Sequence, residues 1–283
     1  MTTVSSTIST PESGFKAFAK RHPLISMYVL MFVLAWPVLI LDALASYGFV
    51  PKPAAILGFA TGWVPGIAAI VITAMIAGGA GVKDLFRRFL VWRVGVRWYV
   101  AGIFLLAAII LGGIGLHILF GGALPEMPIA GAPVSLILFV FTLTMIVGAL
   151  VNTEEIAWRG FALPRLLSRY GALTASLLIA IPEALFHLPH FWNRDSTFYQ
   201  NVGLFWFTAF TIAIAFVYAY IFNKTNGSLL IVTILHASQN AWANLLSDNT
   251  LRPFQFTVAL MWMIALALIF ATKGRLGYEP ERD

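Results

Sequence analysis

VSLILFVFTLTMIVGALVNTEEIAWRG, residues 134–160, sets two chemistries end to end. The first part is an apolar run long enough, at about 1.5 Å per residue, to cross the ~30 Å hydrocarbon layer of a bilayer as a helix. Two glutamates and an arginine follow at once. Charged side chains at membrane depth are costly, so where they occur they face a bundle interior or a wet cavity and mark function. The stretch therefore predicts a membrane span, about 134–156, that ends in a polar site.

Similar runs recur on both sides. Hydropathy predicts eight spans in all, at about 24–47, 54–78, 98–120, 134–156, 171–192, 202–222, 226–246 and 254–272. Composition agrees: of 283 residues 60% are hydrophobic and 11% charged, with a mean hydropathy of +0.86. Soluble domains lie nearer half apolar and a quarter charged. The expected fold class is an all-α integral membrane protein of about eight transmembrane helices.

Lys16, Lys20 and Arg21 precede the first span, and no small-residue cleavage pattern follows it, which favours an uncleaved first helix over a signal peptide. Lys83, Arg87, Arg88, Arg93 and Arg97 lie between spans two and three, and Arg159, Arg165 and Arg169 between four and five. The alternate loops carry little beyond Lys52, Glu126, Arg194 with Asp195, and Asp248 with Arg252. The positive-inside rule puts the arginine-rich loops and both termini in the cytoplasm, and the expected location is a bacterial inner membrane. It also accounts for the formal charge of +6 without nucleic acid, which is not an expected partner. Residues 1–23 read as a cytoplasmic N-terminal tail, 24–275 as one polytopic domain and 276–283 as a C-terminal tail, with disordered ends at 1–15 and 276–283. GGALPEMPIAGAP, residues 121–133, reads as an external loop, and AGGAG (77–81) and GGIG (112–115) as places where helices approach closely.

Polar residues cluster in three islands. In the first, Glu155 and Arg159 are four apart and share a helix face as an ion pair, while Glu154 points about 100° away and is left available. Alone, this island could also be a helix end frayed into headgroups. The second, IPEALFHLPHFWN at 181–193, holds Glu183, His187 and His190; Glu183 and His187 are spaced to hydrogen-bond, and His190 follows Pro189 beyond the regular helix. The third, LHASQNAW at 235–242, sets His236 and Asn240 on one face, where they serve equally as interhelical glue or as donors to a developing oxyanion. Together the islands supply a carboxylate and histidine to deprotonate water, and a histidine and amide to stabilise a tetrahedral intermediate. Cysteine is absent, as are HExxH, GxSxG and GxGD, so the chemistry has no nucleophilic side chain. Zn²⁺ is not excluded by residue type.

EEIAWRGFALPRLLSRYGAL, ALFHLP and NGSLLIVTILHASQN resemble the CPBP family, intramembrane proteases related to the CAAX prenyl endopeptidases that remove the last three residues of prenylated proteins. Glu154, Glu155 and Arg159 match the family's EExxxR motif, and His236 and Asn240 its HxxxN motif. The similarity runs over about 150–245. The middle motif departs: FxxxH read literally selects Phe186 and His190, whereas the WHLP variant selects His187, with Glu183 where an aromatic is usual. The flanking text favours His187. The resemblance implies that Glu154 is the general base, assisted by His187, that His236 and Asn240 form the oxyanion hole, and that Glu155 and Arg159 hold the first motif in place. Glu183 and His190 are supporting residues, and Glu183 is expected to orient His187 or to raise its pKa. The catalytic core falls in helices four to seven. No cofactor is expected; in a zinc-dependent variant Glu154, His187 and His236 would be the ligands. The implied partners are the membrane and a peptide or protein substrate, prenylated or not. The alternatives are a non-catalytic bacteriocin-immunity or scaffold protein of the same fold and a proton-relay transporter, the latter disfavoured by the lack of an internal repeat.

Overall fold

The structure, a computed structural model, describes residues 14–53 and 55–279, and every regular element among them is helical. In chain order these are α1 (Gly14–Arg21), α2 (Pro23–Ser46), α3 (Ala55–Thr61), α4 (Val64–Arg87), α5 (Val96–Leu119), α6 (Val134–Val151), a π-helical turn (Ile156–Ala162), α7 (Leu163–Leu167), α8 (Ala172–Phe186), α9 (Thr197–Lys224), α10 (Leu229–Leu246) and α11 (Leu251–Ala271). Short 3₁₀ turns follow α4 and α8. Seven helical segments among the described residues are long and apolar enough to cross a membrane. Helix α10 is as long as α6, at 18 residues, but His236, Gln239, Asn240 and Asn244 dilute its apolarity. It is the eighth member of the bundle: α5 packs between α10 and α11, α10 also meets α6, and α9 lies between α8 and α11. The chain is an integral membrane protein of about eight helices.

Several boundaries differ from the sequence reading: α9 begins at Thr197, five residues before the expected span, and α8 ends at Phe186 with a 3₁₀ turn beyond it. The second span is not 54–78: α3 stops at Thr61, and α4 runs on to Arg87 past the AGGAG cluster. Gly78 takes a left-handed φ of 63° inside α4, so this cluster breaks the helix. The GGIG cluster does bring helices together, because a Cβ on Gly113 would meet the Thr257 side chain and the Pro253 carbonyl on α11. The span beginning at 134 ends at Val151, five residues early, and Asn152 and Thr153 are non-helical. The tails also differ. Residues 14–21 form α1, and Leu276 is fully buried, its carbonyl accepting from Asn223 Nδ2 at 2.9 Å and its N–H donating to Thr272 Oγ1 at 2.9 Å. Residues 1–13 and 280–283 of the expected tails lie outside the described residues.

The core sits around the short segment after α6. Ile156 through Ala162 are all buried, with Trp158, Phe161 and Arg159 among the largest fully buried side chains. The π turn packs on α4, while residues along α6 are nowhere buried. In lipid this is the economical order: an apolar helix needs no protein partner, whereas ionised groups do.

Candidate active site

The break at Asn152 and Thr153 has identifiable partners. Thr153 N–H donates to the Gly62 carbonyl at 3.0 Å, and its Oγ1 accepts from Gly66 N–H at 3.0 Å. Asn152 Oδ1 accepts the N–H of Glu154 at 3.1 Å, satisfying a donor at the start of the new helical segment as an N-cap does. The chain then enters the π-helical turn, a form found mostly at functional sites.

This local path sorts the two glutamates. Glu155 Oε1 accepts from Arg159 Nη1 at 3.0 Å, with both side chains almost wholly buried. Arg159 reaches a second carboxylate, Glu183 on α8, with Nη1 and Nη2 each 3.3 Å from an oxygen, and its guanidinium lies 4.1 Å from the centre of the Tyr218 ring. One arginine thus ties the π turn, α8 and α9 together, in the planar, forked geometry that suits guanidinium. Glu183 was expected to orient His187 through its carboxylate; the carboxylate goes to Arg159 instead. It is the Glu183 main-chain carbonyl that accepts from His187 Nδ1, at 2.9 Å. The reason is charge: an arginine beside the buried acid outweighs a neutral ring.

Glu154 is not left free either. Its Oε2 accepts from the indole Nε1 of Trp158 at 3.1 Å, in the same i, i+4 relation that joins Glu155 to Arg159. Oε1 has no hydrogen-bond partner among the described residues. His187 ends α8 as its C-cap, and its Nδ1–H is committed to a carbonyl, so Nε2 is the ring nitrogen left unengaged. His190, one 3₁₀ turn on, stacks on Tyr199 at 5.0 Å and 13°. His236 has both ring nitrogens engaged: Nδ1 lies 2.8 Å from Glu155 Oε1, and Nε2 lies 3.0 Å from Asn152 Nδ2. Asn240, one turn further along α10, makes no side-chain hydrogen bond among the described residues.

Glu154, Glu183, His187, His190, His236 and Asn240 all line one cavity of about 860 Å³, and Glu155 and Arg159 are buried behind this lining, Glu155 bonded to His236 and Arg159 to Glu183. Both histidines of the middle island face it, so lining the cavity does not separate His187 from His190; the hydrogen bond of His187 to the α8 carbonyl does distinguish them. Sequence reasoning passed over Asn152, Trp158, Tyr199 and Tyr218. Trp158 was within reach, since the i, i+4 rule applied to Glu155 applies equally to Glu154. Tyr218 sits in the apolar run FVYAYIF and carries no signal of its own.

The residues do not fit a resident zinc ion in this arrangement. Among the described residues no three His, Asp or Glu side chains are grouped to hold a metal, and His236 has no ring nitrogen left to offer. The arrangement offers instead the carboxylate of Glu154, the imidazole of His187 and the amide of Asn240 lining one cavity.

A helical membrane bundle with buried acids, histidines and an amide converging on one cavity defines a class of integral membrane protein built around an intramembrane polar site. Residues 132–242, which contain all of these side chains, match the Rce1-like family, described as type II CAAX prenyl endopeptidase Rce1-like. Through this region the chain is similar to the CPBP and CAAX protease family. It is 28% identical over 174 residues to CAAX prenyl protease 2 of Methanococcus maripaludis, an alignment covering 60% of this chain. The aligned stretch spans 64% of that relative's length.

Proposed function

We propose that the chain is an intramembrane endopeptidase of the CAAX-protease type that hydrolyses peptide bonds of membrane-associated substrates with an activated water. The observation that carries this is the convergence of Glu154, His187, His236 and Asn240, from three separate stretches of sequence, on one cavity. In the proposed mechanism a water lies between Glu154 Oε1 and His187 Nε2. Glu154 takes one of its protons as the oxygen attacks the scissile carbonyl carbon. The carbonyl oxygen gains the negative charge, and Asn240 with His236, on one face of α10, forms the wall that stabilises it. The carbon–nitrogen bond then breaks, and the proton held by Glu154 passes to the leaving amine. Trp158 keeps Oε2 turned away, so that Oε1 faces the water.

No metal or other cofactor takes part. The substrate is a peptide or protein at the membrane, with prenylated CAAX sequences as the first class to test, because the relative from Methanococcus maripaludis is named a CAAX prenyl protease. The protein sits in a bacterial inner membrane with both termini and the arginine-rich loops in the cytoplasm.

The test is cleavage of a farnesylated CAAX peptide by the purified full-length chain and by Glu154→Gln, each with and without chelator. The general base is expected to be worth on the order of 10²–10⁴ in rate. Glu154→Gln should therefore be nearly inactive yet fold normally, and chelator should change nothing. Cleavage unaffected by Glu154→Gln sinks the mechanism; loss with chelator that zinc restores replaces it with the metal-dependent one. A folded wild type inert toward prenylated and unprenylated peptides alike favours a non-catalytic member of the family.

A further inference from the structure

Asn152 lies outside the motifs, yet its side chain touches both halves of the site. The N–H of Glu154 can only donate, so the Asn152 atom 3.1 Å from it is the amide oxygen. The nitrogen of the same amide therefore faces His236 Nε2, at 3.0 Å. An amide nitrogen donates, so Nε2 must carry its lone pair, and the ring proton sits on Nδ1, where Glu155 Oε1 accepts it at 2.8 Å. Every bond in the chain Glu154 N–H, Asn152, His236, Glu155 then has one donor and one acceptor.

We propose that Asn152 is a positioning residue that holds His236 in the Nδ1–H tautomer with Nε2 capped, and thereby sets the order in which the two residues of α10 can act. In this arrangement His236 offers no N–H to the cavity, whereas Asn240 carries an unengaged amide facing it. Asn240 is the donor that meets an incoming carbonyl oxygen first. His236 joins it only after the Asn152 amide turns away and Nε2 takes up a further proton from bulk solvent through the cavity, with Glu155 stabilising the imidazolium. Asn152 also caps the segment bearing Glu154, so the same side chain fixes the base and its opposite wall.

The inference about activity rests on the proposed protease function, but the tautomer does not, and the two are read separately. The full-length chain, labelled with ¹⁵N-histidine in lipid nanodiscs, is compared with Asn152→Ser and Asn152→Asp, using His236→Gln to assign the His236 signals. Serine and aspartate both cap a helix start, so both variants keep that contact and should fold. Serine is too short to reach the ring. Wild type should show a protonated Nδ1 and an unprotonated Nε2 on His236. Asn152→Ser should lose that single tautomer, and Asn152→Asp, which can only accept, should draw a proton onto Nε2. On the farnesylated peptide, Asn152→Ser should lower kcat by roughly two- to tenfold, the worth of one neutral hydrogen bond, with KM unchanged. A wild-type His236 protonated on Nε2, or nitrogen signals that stay the same in both variants, overturns the assignment. A wild type that shows the expected tautomer but cleaves nothing leaves the positioning role standing and removes the protease.

Discussion

Helix α6 and the segment from Glu154 to Ala162 are separated by two residues and are opposite in almost every physical respect. Helix α6 is the more apolar, and none of its side chains is buried; Leu138 is 61% and Phe139 63% exposed. The segment after it carries two acids and an arginine, and all of it is buried. In water the two would exchange places. In a bilayer the apolar helix finds its solvent outside the protein, and the ionised groups find theirs in one another. Between these two segments burial therefore tracks the demand for partners rather than hydrophobicity.

If that contrast is right, the largest effect of any single change should come from taking a charge out of the buried segment. Arg159 serves Glu155 and Glu183 while stacked on Tyr218, and all three polar side chains are nearly inaccessible. Arg159→Met leaves two carboxylates in the interior without their cation, a loss of about 3–5 kcal/mol in stability. Thermal unfolding in detergent measures it. The triple variant Arg159→Met, Glu155→Gln, Glu183→Gln removes charge and partners together and should recover much of the loss. If the single variant is as stable as wild type, the buried segment is not held by charge and the comparison with α6 fails.

Gly66 tests the connection between the two regions. Thr153 at the break packs so closely on α4 that a Cβ on Gly66 would lie 2.5 Å from its Oγ1, against the same hydroxyl that accepts the Gly66 N–H. Gly66→Ala should cost about 1–3 kcal/mol, the usual penalty of overpacking. The shift falls on the start of the Glu154 segment, so cleavage should drop along with the melting temperature.

Trp158→Phe is a finer cut. It keeps the buried ring but removes the N–H from Glu154 Oε2, one hydrogen bond to a carboxylate. Such bonds are worth about 1.5–3 kcal/mol, so kcat for peptide cleavage should fall on the order of ten- to a hundredfold. Unchanged KM and kcat would show that Oε2 does not need holding.

These side chains differ in how far the sequence exposed them. Apolar runs located α2, α5, α10 and α11 to within a few residues, because length and hydropathy are local properties. The end of α6 was not local: it depends on Thr153 bonding to Gly62 and Gly66, about ninety residues earlier. The pair Glu155–Arg159 was legible from its i, i+4 spacing. The pair Arg159–Glu183 was not, since nothing in the spacing says that α8 packs against the π turn. Asn152 was missed for a related reason: an asparagine at a helix boundary is commonplace, and its contact with His236 spans 84 positions.

The smallest effect should be found in α6. Leu138→Ala removes an exposed side chain that touches lipid or detergent and leaves no cavity in the protein. Truncation costs energy in a core because neighbours cannot close the space, but fluid acyl chains can. Stability should change by less than about 0.5 kcal/mol, the range of surface substitutions, although the residue removed is among the most hydrophobic in the chain. Met31→Ala on α2, a fully buried side chain within the bundle, provides the matched control and should cost about 2–5 kcal/mol. If the two variants melt together, packing against protein and packing against lipid are equivalent here, and α6 owes its place to contacts with α10 rather than to its solvent. If they separate as expected, the same apolar deletion has two costs, set by whether the neighbouring atoms can flow.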